Sequence, residues 1–181
     1  MKSRLLFVHI PKTAGVTIRV ALGIWPSDSW KRVYYLGHDP YHVLKQNNKI
    51  EKDVFKFTVV RNPFTRIYSY YDHYKRFYFK QISFNNFLKN IEKRQLSNNS
   101  LVSLDQSFYI FENGKSELDK IYRFENLKEF EYDFNMPLIN LNDGCYTSED
   151  YYKDYTEENK DLVRKIYARD FRNLGYSDEF S

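Results

Sequence analysis

A short apolar run at the start of the chain most constrains how it can fold. Residues Leu5–Ile10 have strand character, Pro11 breaks the run, and an apolar pattern with helical spacing follows in Thr13–Leu22. The first turn of a helix that follows a strand in this way presents unpaired backbone N–H groups and partial positive charge, which together favour phosphate. The stretch therefore predicts a buried first strand, an anion-binding loop and a helix.

Lys12 and the residues after it give this loop its chemistry. Lys12 adds a full positive charge, and Thr13 and Thr17 carry hydroxyl groups that can donate hydrogen bonds. The loop is not a Walker A motif, because its lysine precedes Gly15 instead of following it. An ordinary strand–turn–helix with an exposed lysine is the alternative. The predicted anion contacts come from Lys12, Thr13, Ala14, Gly15, Val16 and Thr17.

A second cationic site is predicted after the run Val54–Val60. This run is rich in β-branched and aromatic residues, as a central parallel strand is. Arg61 follows it directly, so its guanidinium would lie at the carboxyl edge of the sheet, where it can grip a phosphate with two hydrogen bonds. Asn62-Pro63 suits the start of a helix, on which Arg66 and Ser69 would share a face. Structural salt bridges of the two arginines are the alternative.

Both stretches resemble segments of the sulfotransferases that use 3′-phosphoadenosine 5′-phosphosulfate. His9–Thr17, HIPKTAGVT, resembles the HIPKTGGTS-type loop that binds the 5′-phosphosulfate of the donor. The resemblance is closest to the carbohydrate-type branch, in the form of a soluble bacterial or viral member. Ala14 and Val16 depart from the pattern, in which Gly and a hydroxyl residue are usual at these positions.

Later segments extend the resemblance over most of the chain. The strand followed by R-[DN]-P-x-x-R-x-x-S binds the 3′-phosphate in that family, which implies this role for Arg61 and Ser69. Tyr122–Leu127 is similar to a segment that reads RFENL. Asp170-Phe171 and Gly175-Tyr176 match the closing DFxxxGY pattern.

The resemblance also implies the residues that would carry catalysis. Gly37-His38 resembles a GH motif that follows the second strand, here expected at Trp30–Leu36, and its histidine acts as the base. Histidine has a pKa suited to that work, with His42 as second choice. Lys12 would neutralise charge on the departing phosphate oxygen. The implied donor is 3′-phosphoadenosine 5′-phosphosulfate, the product is adenosine 3′,5′-bisphosphate, and no metal is required.

Alternating strands and helices predict an α/β fold with a mostly parallel central sheet. The resemblance implies a three-layer α/β/α sandwich of the P-loop-NTPase-like sulfotransferase type, and the length of 181 residues suits a single domain, 1–181. Further patterns predict a helix over Leu101–Phe111, a last strand over Met136–Leu141 and one long helix over Thr156–Leu174.

The amino-acid composition limits the kinds of ligand and partner that we expect for this chain. A net charge of +4 fits an anionic ligand and is too small to indicate nucleic acid by itself. A lone cysteine, Cys145, excludes a disulfide within the chain. We expect a cytoplasmic protein, because the sequence shows neither a signal peptide nor an apolar stretch of about 20 residues. Golgi sulfotransferases, by contrast, carry an N-terminal anchor.

The sequence does not identify the acceptor, and it leaves two other classes of function open. The resemblance implies a hydroxyl-bearing acceptor, expected to be a saccharide, whose pocket falls in the stretches that match least, Gln81–Glu117 and Asn142–Tyr152. A small kinase-like phosphotransferase that uses Mg-ATP is one alternative. A non-catalytic nucleotide or nucleic-acid binder is another, since aromatic and basic residues interleave in Tyr68–Lys80.

Overall fold

The chain divides into two units, each built from two separate stretches. A computed structural model describes residues 4–23, 33–34, 37–47, 50, 52–78, 81–93, 104–139 and 153–180. The first unit comprises Met1–Arg61 and Phe108–Asp143, and the second comprises Asn62–Ser107 and Gly144–Ser181. The expectation of a single domain stays a prediction.

The described strands are β1 (Leu5–Val8), β2 (Val33–Tyr34), β3 (Phe55–Val60), β4 (Phe111–Glu112), β5 (Lys115–Ser116) and β6 (Lys120–Arg123). The described helices are α1 (Gly15–Ala21), α2 (Tyr41–Gln46), α3 (Pro63–Tyr78), α4 (Phe84–Glu92), α5 (Gln106–Ile110), α6 (Leu127–Phe134), α7 (Glu157–Ile166) and α8 (Ala168–Leu174). A 3₁₀ turn, Phe124–Asn126, joins β6 to α6.

A four-stranded sheet organises the first unit. Its order is β2-β1-β3-β6 and all neighbours are parallel, with Leu5 opposite both Val33 and Phe55, and Val60 opposite Arg123. The chain runs from β1 to β2 on one side and then crosses to β3 on the other. The gap between β1 and β3 is therefore a topological switch point, and ligands of open α/β sheets bind at the carboxyl ends of the strands there. The α/β class with a parallel sheet is confirmed.

Apolar residues of β1 and β3 explain why these strands form the centre of the sheet. All four residues of β1 are buried, and so are the last four of β3. Phe57 and Val59 pack with Phe7 of β1 and with Ile18 of α1 in one cluster. Thr58 is buried without cost, because its hydroxyl donates to the carbonyl of Val8 at 2.7 Å.

The second unit is helical in its described part. The Asn62 side chain accepts a hydrogen bond from the backbone N–H of Phe64 at 2.9 Å, which confirms the predicted start of α3. Helix α3 buries an aromatic and aliphatic face that includes Phe64 and Ile67, which packs with residues of α4, α7 and α8. Asp170 of α8 accepts backbone N–H bonds from Gln106 and Ser107 at 2.8 and 2.7 Å. It thereby caps α5.

Three predicted elements differ from the structure. The helix expected over Leu101–Phe111 is described only from residue 104, begins at Gln106 and ends at Ile110; β4 and β5 then form a hairpin. Its turn, Asn113-Gly114, has positive φ at both residues, as a two-residue hairpin turn requires. The helix expected over Thr156–Leu174 is two helices, because the backbone leaves the helical conformation at Tyr167.

The strand expected over Met136–Leu141 is wrong for residues 136–139. Asn135 ends α6 in the left-handed conformation. The N–H groups of Met136 and Leu138 then bond to the backbone carbonyl and the carboxylate of Glu131, and are not available to a sheet. Residues 140–141, the loop Asn142–Tyr152 and Cys145 lie outside the described residues. None of the helices in the described ranges has the length and apolar character needed to cross a membrane.

Candidate functional site

The carboxyl edge of the sheet gathers three residues predicted from separate motifs. Lys12 follows β1, His38 follows β2 and Arg61 follows β3 directly. The three strands are parallel neighbours, so their carboxyl ends share one edge. All three residues belong to the first unit.

The loop after β1 has a strained backbone. Lys12 and Ala14 both have φ of 68°, in the left-handed region. Such a conformation costs a residue with a Cβ roughly 1–2 kcal/mol, and strain of this kind is concentrated at functional sites. Ala14 stands where the resembled pattern has Gly, and its positive φ is one that Gly adopts without strain.

The side chains of Thr13, Val16 and Thr17 in this loop differ in their exposure. Thr13 is fully buried, and its hydroxyl donates to the carbonyl of Ile10 at 2.8 Å. This side chain therefore closes the loop, and its predicted ligand contact can come only from its backbone N–H. Thr17 is also buried, whereas Val16 is 42% exposed on the first turn of α1.

Arg61 links the second motif to the loop. Its guanidinium is largely buried, and Nη1 donates a long hydrogen bond of 3.5 Å to the carbonyl of Lys12. The guanidinium carbon also lies 4.1 Å from the centre of the Phe124 ring. Because Val60 pairs with Arg123, the residues that follow β3 and β6 are neighbours, and Phe124 is brought onto Arg61. A stacked, hydrogen-bonded guanidinium is pre-oriented for an anion.

His38 is held by the residue that directly follows β1. Its Nδ1 lies 3.0 Å from the carbonyl oxygen of His9, and the two rings are 4.2 Å apart between centres. A carbonyl only accepts, so Nδ1 of His38 carries the proton that is donated. In the neutral ring the lone pair is then on Nε2, the atom that can accept a proton from a hydroxyl.

His9 itself is buried and neutral. Only 6% of it is exposed, and its ring stacks on Phe7 at 5.3 Å between centres. Burial lowers the pKa of His9 to about 3, and repulsion from a protonated His38 and from Arg19 acts in the same direction. Gly15 makes room for the ring, because a Cβ at residue 15 would lie 1.6 Å from its Nε2.

The other predicted residues lie on helices of the two units. Ser69 is half-buried on α3 of the second unit, and its contact with a 3′-phosphate stays a prediction. Arg66 is 1% exposed and donates to the carbonyl of Leu104 at 3.2 Å, so it stabilises the second unit. His42 lies on α2 with its ring edge-on to Phe108, 5.0 Å away.

Two residues of the site were missed as functional candidates. Phe124 lies within the segment that resembles RFENL, which was the only signal for it. His9 begins the loop pattern His9–Thr17, but its contact with His38 has no signal in the sequence.

No family model matches the chain, and no curated protein or solved structure matches it either. Within the described ranges, no group of three or more His, Cys, Asp or Glu side chains is arranged to hold a metal ion. The expectation of a reaction without metal stays a prediction.

Proposed function

We propose that this protein is a sulfotransferase that moves a sulfuryl group from 3′-phosphoadenosine 5′-phosphosulfate to a hydroxyl group, most readily one of a saccharide. The finer fold proposed with it is the three-layer α/β/α sandwich of the P-loop-NTPase-like sulfotransferases. One observation carries the proposal: Arg61 bonds to the main chain of Lys12 at the switch point of the sheet, and His38 is hydrogen-bonded to the residue that follows β1.

Each of the three side chains would serve one need of sulfuryl transfer. Nε2 of His38 takes the proton of the acceptor hydroxyl as its oxygen attacks sulfur. The bond between sulfur and the bridging phosphate oxygen breaks, and its electron pair stays on the phosphate. Lys12 and the backbone N–H groups of Thr13–Thr17 neutralise that growing charge, by the same electrostatic logic that governs phosphoryl transfer, while Arg61 binds the 3′-phosphate of the donor. The contact with the 3′-phosphate proposed for Ser69 rests on the sequence pattern alone.

Ligand-dependent thermal unfolding tests the donor site. Adenosine 3′,5′-bisphosphate, adenosine 5′-monophosphate and Mg-ATP are compared, each in large excess. A ligand that binds only the folded state at about 100 times its dissociation constant stabilises it by about 2.7 kcal/mol. We expect the bisphosphate to raise Tm the most. A rise with Mg-ATP alone would favour the kinase alternative, and no rise with any ligand would refute the proposal.

Lys12→Ala and Lys52→Ala form a matched pair for this experiment. Both remove one lysine, but Lys52 is exposed in the turn before β3, at the opposite edge of the sheet. Lys12→Ala should abolish the bisphosphate shift and Lys52→Ala should keep it. Transfer is then followed with labelled donor and a mixture of saccharides, for which the parent should give sulfated product and Lys12→Ala none. Equal behaviour of the two variants would contradict the role of Lys12.

A further inference from the structure

The ring of His9 is clamped by three separate parts of the first unit. Phe7 of β1 stacks on it at 5.3 Å, and His38, from the segment before α2, lies at 4.2 Å between ring centres. Gly15, the first residue of α1, lies so close that a Cβ at this position would overlap the ring, 1.6 Å from its Nε2. The position of this ring is therefore fixed by the strand, the helix and the second histidine together.

The main chain of the same residue fixes the proton of His38. The His9 carbonyl accepts the Nδ1–H of His38 at 3.0 Å. That carbonyl follows β1 directly, and the buried, packed ring of the same residue restrains the backbone that presents the carbonyl to His38. We therefore expect a change that displaces the ring to loosen the backbone that carries the hydrogen-bond acceptor of His38.

The charge states of His9 and His38 favour the use of His38 as a base. His9 stays neutral, because burial, repulsion from a protonated His38 and the positive charge of Arg19 all oppose its protonation. A neutral ring beside His38 lets that histidine accept a proton without a second imidazolium 4.2 Å away.

We propose that His9 is a positioning residue for His38: its clamped ring and its carbonyl together hold His38 in the Nδ1–H tautomer, with Nε2 directed to act as base. The catalytic meaning of this arrangement rests on the proposed sulfotransferase function. The arrangement itself does not, because it is a property of the protein without donor or acceptor. Gly15 acquires a second role here, since it provides the space for the His9 ring in addition to its place in the loop.

Imidazole nitrogen NMR of the full-length protein tests the tautomer directly. The chain has only four histidines, and His42→Gln and His73→Gln each remove one set of signals, which serves both for assignment and as controls. At about pH 8.5, where an ordinary histidine is neutral, the parent should show His38 as the Nδ1–H tautomer. His38 in the Nε2–H form would overturn the proposal.

Two variants should release His38 by different routes. His9→Ala removes the ring, and Gly15→Ala displaces it while leaving both histidines in place. In each we expect His38 to lose the Nδ1–H signature and revert towards the Nε2–H tautomer that a free histidine favours in water. His9→Phe, which keeps a flat ring, should restore the parental signature. Retention of the Nδ1–H tautomer in both alanine variants, in a folded protein, would show that His9 is only a packing residue.

Further outcomes separate this proposal from the proposed function. If the alanine variants do not fold, the scalar coupling across the hydrogen bond in the parent, from Nδ1 of His38 to the carbonyl carbon of His9, decides the question: its detection supports the proposal and its absence overturns it. If the tautomer behaves as expected but adenosine 3′,5′-bisphosphate does not bind, the positioning role stands and the sulfotransferase assignment fails.

Discussion

Ala14 adopts a backbone conformation that its own Cβ disfavours. With φ of 68° and ψ of 20° it lies in the left-handed region. Ala14→Gly removes that strain but gives the unfolded chain more freedom, so the two effects partly cancel. We expect the free energy of unfolding to rise by up to about 1 kcal/mol. Urea denaturation measures the change.

Ala21→Gly is the matched control for this prediction. Ala21 is the last residue of α1 and has an ordinary helical environment. The same substitution there should lower the free energy of unfolding by up to about 0.5 kcal/mol, the low end of the cost of Gly in a helix, because Ala21 lies at the helix end. The two variants should therefore differ in sign, and a similar loss in both would contradict the left-handed conformation of Ala14.

Individual residues of the site were predictable where a local pattern defines their role. Lys12 and Arg61 follow strands whose apolar runs are evident in the sequence, so their placement at the carboxyl edge could be expected. The hydrogen bond of the Thr13 hydroxyl and the burial of Arg66 could not be expected from the sequence. Both depend on backbone carbonyl groups that only the folded chain places nearby. The need for Gly at residue 15 could not be expected either. It arises because the fold packs the His9 ring against this residue, where a side chain would overlap it.

At the scale of elements, the strand β6 contributes to the site through the residue that follows it. Phe124 begins the 3₁₀ turn and lies against the guanidinium of Arg61. A cation–π contact of this kind contributes about 1 kcal/mol. Phe124→Leu should therefore weaken binding of adenosine 3′,5′-bisphosphate about five-fold, whereas Phe124→Tyr should retain it. Titration calorimetry measures the dissociation constants.

Phe134→Leu provides the control for loss of packing alone. Phe124 and Phe134 are both partly buried against the same apolar cluster of the sheet, but the ring over Arg61 is that of Phe124. Phe134→Leu should lower stability and leave the dissociation constant unchanged. If both variants weaken binding equally, the effect comes from the core and the orienting role of Phe124 is refuted.

Secondary structure was predictable where a single element carries its own boundary signals. The Asn62 cap and the apolar run of β3 are such signals. The break at Tyr167 is not, because the apolar spacing continues on both sides of it and the buried ring is placed by tertiary packing. The sequence does contain a signal for the hairpin β4–β5, the Asn113-Gly114 turn. The helical spacing of the residues before it competes with this signal and predicts a helix up to Phe111.

At the scale of the whole molecule, the high aromatic content serves stability. Among 17 tyrosines, several place the ring in a core while the hydroxyl donates to a carboxylate or carbonyl. Tyr68 donates to Asp154, Tyr122 to Asp133 and Tyr155 to the carbonyl of Phe64, at 2.7, 2.8 and 2.7 Å. Burial, followed by the bonded carboxylate, raises the pKa of both Tyr68 and Tyr122. These tyrosines therefore stay protonated donors over the neutral range and are explained without a binding role.

The neutral state of His9 makes the stability of the whole molecule sensitive to acid. The folded protein holds the pKa of His9 at about 3, whereas the unfolded chain takes up this proton near the ordinary value of 6.5. As pH falls from 6.5 towards 3, protonation therefore favours the unfolded state, and stability is lost. At about pH 5 the loss from this one group is about 2 kcal/mol.

Carboxylates and the other histidines also contribute to the acid dependence of stability. The contribution of His9 is therefore obtained by comparing variants. Urea denaturation is measured at about pH 7.5 and about pH 5 for the parent, His9→Phe and His73→Gln. His9→Phe cannot be protonated at residue 9, so its loss of stability between the two values should be smaller than that of the parent by about 2 kcal/mol. His73→Gln retains the His9 titration and should not show that reduction. An acid dependence of His9→Phe equal to the parent's would mean that His9 is protonated in the folded protein, and a charged ring in that place would also repel the proton that His38 has to accept.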